Sequence, residues 1–167
     1  MSMEAAFDRA RSSIMEVLEE CAKLGVHLAM EPHGTFSTNP EGLKRLMAVS
    51  PSPYYFINYD VGNLSGGCGL PNAQLLPQFL ARVGWVHIKD YARKAAGRTT
   101  GTGGTPTSPR GFASPTVDIG TGDVDIAAAV KILKDAGYGA AISAEILGHA
   151  DPVGASGRAL RYLKGLI

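Results

Sequence analysis

Four short apolar runs, each ending in a polar side chain at its C-terminal end, constrain the fold of this chain more than any other feature. They are Val26–Glu31, Tyr54–Asp60, Trp85–Asp90 and Ala140–Glu145. None alternates apolar with polar residues, which predicts strands of a parallel sheet buried on both faces. Between them run stretches with the three-and-four spacing of amphipathic helices. The first, Met3 to Leu24, places Ala6, Ala10, Ile14, Val17, Leu18, Cys21 and Leu24 on one side and stops at Gly25. The resulting order is a helix followed by four strand–helix units, an α/β architecture of parallel (βα) units.

The run Trp85-Val86-His87-Ile88-Lys89-Asp90 is the most informative of the four. It reads as a buried strand with an imidazole inside it, and a buried imidazole needs a partner to offset its desolvation. A backbone carbonyl is the ordinary partner. The other three runs, however, each end in an acid: Glu31, Asp60 and Glu145. In a parallel barrel all C-terminal strand ends lie on one face, where active sites form. One histidine and three carboxylates gathered there make a divalent-metal constellation.

The connecting segments carry their own signals. Thr38-Asn39-Pro40-Glu41 reads as a cap with proline in the first turn of a helix bearing Leu43, Leu46, Met47 and Val49. Ser65-Gly66-Gly67-Cys68-Gly69 reads as a glycine-rich loop leading into a helix from about Asn72 to Val83. Ala95 to about Thr116 is dominated by Gly, Thr, Ser and Pro with no apolar period, which predicts a disordered insertion or, alternatively, a lid. A helix from Ile126 to about Ala136 is capped by Asp125 or Asp123, and Asp151-Pro152 opens the last helix.

The 167 residues suffice for one domain with a sizeable core, and the net charge of +1 leaves no basic excess for nucleic acid. No apolar run approaches membrane-spanning length, and the charged N-terminus is no signal peptide. Cys21 and Cys68 show neither disulfide-scaffold nor zinc-ribbon spacing. A cytoplasmic setting is the default expectation.

Met30-Glu31-Pro32-His33, Asn58-Tyr59-Asp60-Val61-Gly62-Asn63 and Val86-His87-Ile88-Lys89-Asp90 resemble successive motifs of the xylose isomerase-like barrel superfamily. So do Gly120-x-Gly122-Asp123, Gly137-Tyr138-Gly139 and Ser143-Ala144-Glu145. The sequence is most similar to its sugar phosphate isomerase/epimerase group. The resemblance spans nearly all of residues 1–167 except the Ala95–Thr116 tract. It implies a TIM (βα)8 barrel of which this chain supplies the C-terminal half, strands five to eight. A half-barrel leaves two sheet edges open. A truncated sequence is the preferred reading, over pairing with a separate N-terminal half or self-association.

The same resemblance implies Glu31, Asp60, His87 and Glu145 as metal ligands, a mostly oxygen shell suited to Mn²⁺, with Mg²⁺, Co²⁺ or Zn²⁺ as alternatives. It also implies that Glu31 and Glu145 are catalytic, transferring protons on opposite sides of a small sugar or sugar-phosphate substrate. Asn63 matches a substrate-contacting position, or else forms a loop turn. His33 points into the site or is an exposed loop residue. Lys89 and Arg93 bind a hydroxyl, carboxylate or phosphate, or are solvated charges. Asp90 orients a ligand or caps the next segment. The implied function is a metal-dependent isomerase or epimerase. The alternatives are a lyase of the inosose or dehydroshikimate dehydratase type, or an inactive half-barrel needing a partner. A repair endonuclease of the endonuclease IV type would need further histidine ligands and a basic groove, and the sequence shows neither.

Overall fold

The computed structural model describes residues 2–93 and 112–167. Its first helix, α1 (Met3–Leu24), starts where the Ser2 hydroxyl accepts from the Ala5 N–H and ends at Gly25, whose φ of 66° is left-handed. Short β1 (Leu28–Met30) follows, then α2 (Gly34–Ser37) and α3 (Pro40–Met47), the latter capped by Asn39 as its sequence predicts. After β2 (Tyr55–Asp60) come α4 (Val61–Cys68), α5 (Asn72–Leu75) and two 3₁₀ turns, Leu76–Gln78 and Leu80–Arg82. Then follow β3 (Val83–Ile88), β4 (Asp90–Arg93), β5 (Phe112–Val117), α6 (Ile126–Asp135), β6 (Ile142–Ala144) and α7 (Pro152–Lys164).

Strands β1, β2, β3 and β6 pair in that order, all parallel, with helices between them. This is the expected run of parallel (βα) units. One face of the sheet is dry: Tyr55, Ile57 and Tyr59 of β2 and Val86 and Ile88 of β3 join one core with Leu18, Leu43, Leu64, Leu75 and Ala159. The buried phenols are satisfied, Tyr55 by the Leu46 carbonyl (3.2 Å) and Tyr59 by Asn72 Oδ1 (2.9 Å).

The opposite face is where the expectation of uniform burial fails. The period of two puts Trp85 and His87 on the side away from Val86 and Ile88. Trp85 is 40% exposed there, its indole N–H donating to Ser143 Oγ at 3.2 Å. Towards the C-terminal ends of the strands the same face closes, with Asn58, Asp60 and Lys89 buried.

Three local expectations are corrected. The glycine-rich Ser65–Gly69 segment is not a loop but the end of α4. Asp60 Oδ1 caps that helix by accepting from the N–H groups of Gly62 (2.9 Å) and Asn63 (2.8 Å), and Gly69 at φ 74° ends it. The helix expected over Asn72–Val83 dissolves into 3₁₀ turns after Leu75, because Pro77 lacks an N–H and crowds the preceding turn. Asp125 stands at the start of α6 without capping it; its carboxylate instead accepts from the N–H groups of Asn72 (2.9 Å) and Ala73 (3.1 Å) at the start of α5.

The tract read as an insertion or lid, Ala95–Thr116, lies outside the described residues through 111. Its end does not behave as a loop: Phe112–Val117 pairs antiparallel with Asp90–Arg93. A two-stranded ribbon has open edges, where proline and small polar residues are tolerated. Asp90 organises its base. Its buried carboxylate accepts from the N–H groups of Tyr91 (2.9 Å), Gly120 (2.9 Å), Gly122 (2.8 Å) and Val124 (3.2 Å). Of the two roles read from the sequence, Asp90 therefore fills the capping one.

Candidate metal centre

Each of the four parallel strands delivers one donor at its C-terminal end: Glu31 after β1, Asp60 at the end of β2, His87 near the end of β3 and Glu145 after β6. Asp60 and His87 are direct cross-strand partners, and the Glu145 N–H bonds to the Ile88 carbonyl (2.8 Å), extending the pairing by one residue. One ligand atom from each residue falls within 4.8 Å of all the others. Register alone thus brings together four side chains far apart in sequence. Glu31 and Glu145, from the two outermost strands, approach His87 Nδ1 from both flanks, with Oε2 atoms at 3.4 Å and 3.8 Å.

The donors suit a divalent cation chemically as well as spatially. Asp60 divides its two oxygens: Oδ1 caps α4, while buried Oδ2 completes no hydrogen bond. Glu145 Oε2 is in the same condition. Buried carboxylate oxygens without an aligned hydrogen bond are costly, and a cation is the group that offsets that cost.

One cation of the chain itself already touches both. Lys89 is 3% exposed, and its Nζ lies 2.9 Å from Asp60 Oδ2 and 2.5 Å from Glu145 Oε2. These are ion contacts without hydrogen-bond alignment. Burial pushes the Asp60 carboxyl up to about 7, against the pull of the Lys89 ammonium and the Asn63 N–H. Burial draws Lys89 down, but Asp60 and Glu145 together outweigh it and hold the ammonium above its ordinary value. The reading of Lys89 as a solvated loop charge is therefore excluded.

Two residues not singled out from the sequence complete the surroundings. Asn58, on the same face of β2 as Asp60, directs Nδ2 to Glu31 Oε2 (3.1 Å) and lies 3.2 Å from His87 Nδ1. Its signal was available: a polar residue two positions before Asp60 in an aromatic strand shares that residue's face. Tyr91 donates to Asn63 Oδ1 (3.4 Å), and Asn63 Nδ2 donates to Glu31 Oε1 (3.3 Å), a relay from the β4–β5 ribbon to the site.

Asn63 lies in the first turn of α4, so it forms no loop turn. His33 is exposed at the start of α2, its N–H bonded to Ser37 Oγ at 2.7 Å, and stands outside the four-donor cluster. The side chain of Arg93 lies outside the described residues.

The family model for the xylose isomerase-like TIM barrel matches residues 2–166. No curated protein matches the sequence significantly. Several solved structures share the fold. Mannonate dehydratase from Streptococcus suis serotype 2 superposes with a TM-score of 0.73 at 21% identity, over 99% of this chain and 49% of its own. The 3-keto-D-glucoside 4-epimerase from E. coli gives 0.73 at 18%, over 99% and 56%. The IOLI protein, solved with a bound zinc atom, gives 0.73 at 17%, over 99% and 58%. The chain thus spans about half the length of the structures it matches. A match of this extent, over parallel (βα) units with their donors at the strand ends, makes the chain a member of the xylose isomerase-like TIM barrel family.

Proposed function

We propose that this chain carries the metal centre of a sugar or sugar-phosphate isomerase or epimerase, working in the cytoplasm. The observation that carries the reading is the convergence of Glu31, Asp60, His87 and Glu145 within 4.8 Å at the ends of four adjacent parallel strands. An ion held by these four residues, Mn²⁺ before Mg²⁺, Co²⁺ or Zn²⁺, would supply the Lewis acidity that polarises a substrate carbonyl.

The protein's own groups do the rest. Glu31 and Glu145 flank the site from opposite edges of the sheet, the arrangement needed to remove a proton from one side of a carbon and return one to the other. Asn58 and Asn63 hold the Glu31 carboxylate through one oxygen each, which fixes its direction. Asn63, His33 and Arg93 are the groups proposed to meet substrate hydroxyls or a phosphate, whereas Lys89 is committed to two carboxylates. The epimerase among the matching structures supports this class of reaction, and the zinc-bearing one supports the metal.

The test is proton exchange. With Mn²⁺ and a panel of ketoses and ketose phosphates in D₂O, deuterium should enter the carbon beside the carbonyl. Glu145→Gln should slow this by roughly 100-fold or more, the usual contribution of a positioned acid or base. A dehydrated product in place of exchange would move the reaction to the lyase class of the mannonate dehydratase. No metal-dependent reaction of either kind would end the proposal.

A further inference from the structure

We propose that Lys89 is a built-in competitor for the metal, an internal cation that loosens and tunes the affinity of the four-donor site; this rests on the metal reading above. Its ammonium touches Asp60 Oδ2 and Glu145 Oε2, which are the two buried carboxylate oxygens that complete no hydrogen bond. The lysine and a divalent ion therefore draw on two of the same four residues, Asp60 and Glu145.

The fold makes specific room for this contact. Gly62, in the first turn of α4, lies against the lysine stem: a Cβ there would come within 2.5 Å of Lys89 Cγ and 3.0 Å of Tyr91 Cε2. Any other residue at position 62 would push the stem aside. Burying an ammonium is costly unless carboxylates repay it, so a lysine enclosed here belongs to the charge balance of the site. As metal ligands the three carboxylates must be ionised and carry −3, which the Lys89 ammonium brings to −2, the charge that a dication balances. Lys89 also draws Glu145 Oε2 to a fixed place beside His87, so it positions the proposed acid–base group.

Two cations sharing carboxylates in a buried site repel strongly. Replacing the ammonium by an uncharged chain of similar shape should tighten binding. Titration calorimetry with Mn²⁺ alone should show Lys89→Met binding about tenfold or more tighter than the unmodified chain. The second measurement uses the unmodified chain: added Mg²⁺ should shift the Lys89 Nζ resonance in ¹⁵N NMR more than that of any other lysine. It decides the matter if the variant fails to fold. Binding by the unmodified chain, with equal or weaker binding by folded Lys89→Met, would overturn this inference and leave the metal reading standing. An unmoved Lys89 resonance at saturating Mg²⁺ would do the same. Absence of binding by both chains would overturn both.

Discussion

Asn58 shows how much of the site's precision rests on a residue that bears no ligand atom. Its amide nitrogen faces Glu31 Oε2 and His87 Nδ1, and this orientation follows from chemistry, since the amide oxygen would repel the carboxylate. Truncation frees the Glu31 carboxylate and the imidazole to rotate. Asn58→Ala should therefore weaken Mn²⁺ affinity by about tenfold, the lower end of what losing such a supporting group costs. Calorimetry beside the unmodified chain measures it, and an unchanged affinity would show that Asn63 alone orients Glu31. The four donors are legible as strand-end residues. Asn58 is not, because the aromatic content of Tyr54–Tyr59 gives the whole run an apolar character that masks the alternation inside it.

Among the elements, α4 departs furthest from its sequence. Three glycines and a serine in Ser65–Gly69 argue for a loop by propensity. Capping by Asp60 and close packing overrule that preference, as tertiary context often does. Gly67 is small because a Cβ there would lie 2.2 Å from Thr38 Cβ, so the helix backbone packs directly on the Thr38 side chain in the α2–α3 connection. Gly67→Ala consequently sets better helix propensity against a steric clash, and the clash should win. We expect a loss of roughly 1–3 kcal/mol, the usual cost of overpacking. Urea unfolding measures it, and a variant as stable as the parent would mean that α4 is not tightly seated. The β4–β5 ribbon follows the same logic. Composition predicted no order for Phe112–Thr116, yet backbone pairing with Asp90–Arg93 and the four N–H groups gathered by Asp90 supply it.

The molecule as a whole has two unlike faces. Helices seal one side of the sheet, while the other side is exposed at Trp85 and closed around Asn58, Asp60 and Lys89, and among the described residues β1 and β6 each pair on one edge only. No helix of the described residues is long and apolar enough to cross a membrane. Trp85 is the single tryptophan, so its environment can be read directly. At 40% exposure its fluorescence should be quenched by acrylamide in the folded chain, short of the quenching of free indole. Emission shielded from acrylamide would mean that another polypeptide surface, a second copy included, covers this face in solution.

By itself the sequence determined the four parallel strands, their order along the chain and the four side chains that meet, because these follow from local periodicity and from where each apolar run ends. Parallel pairing in register then had to bring the strand ends together. Only the tertiary structure decided that Lys89 is buried between Asp60 and Glu145, that Gly62 and Gly67 mark close approaches, and that Trp85 faces outward. Each of these depends on which distant segment packs against the residue. Neither propensity nor charge at a single position carries that information, because the energy of a buried ion or a missing Cβ belongs to the contact.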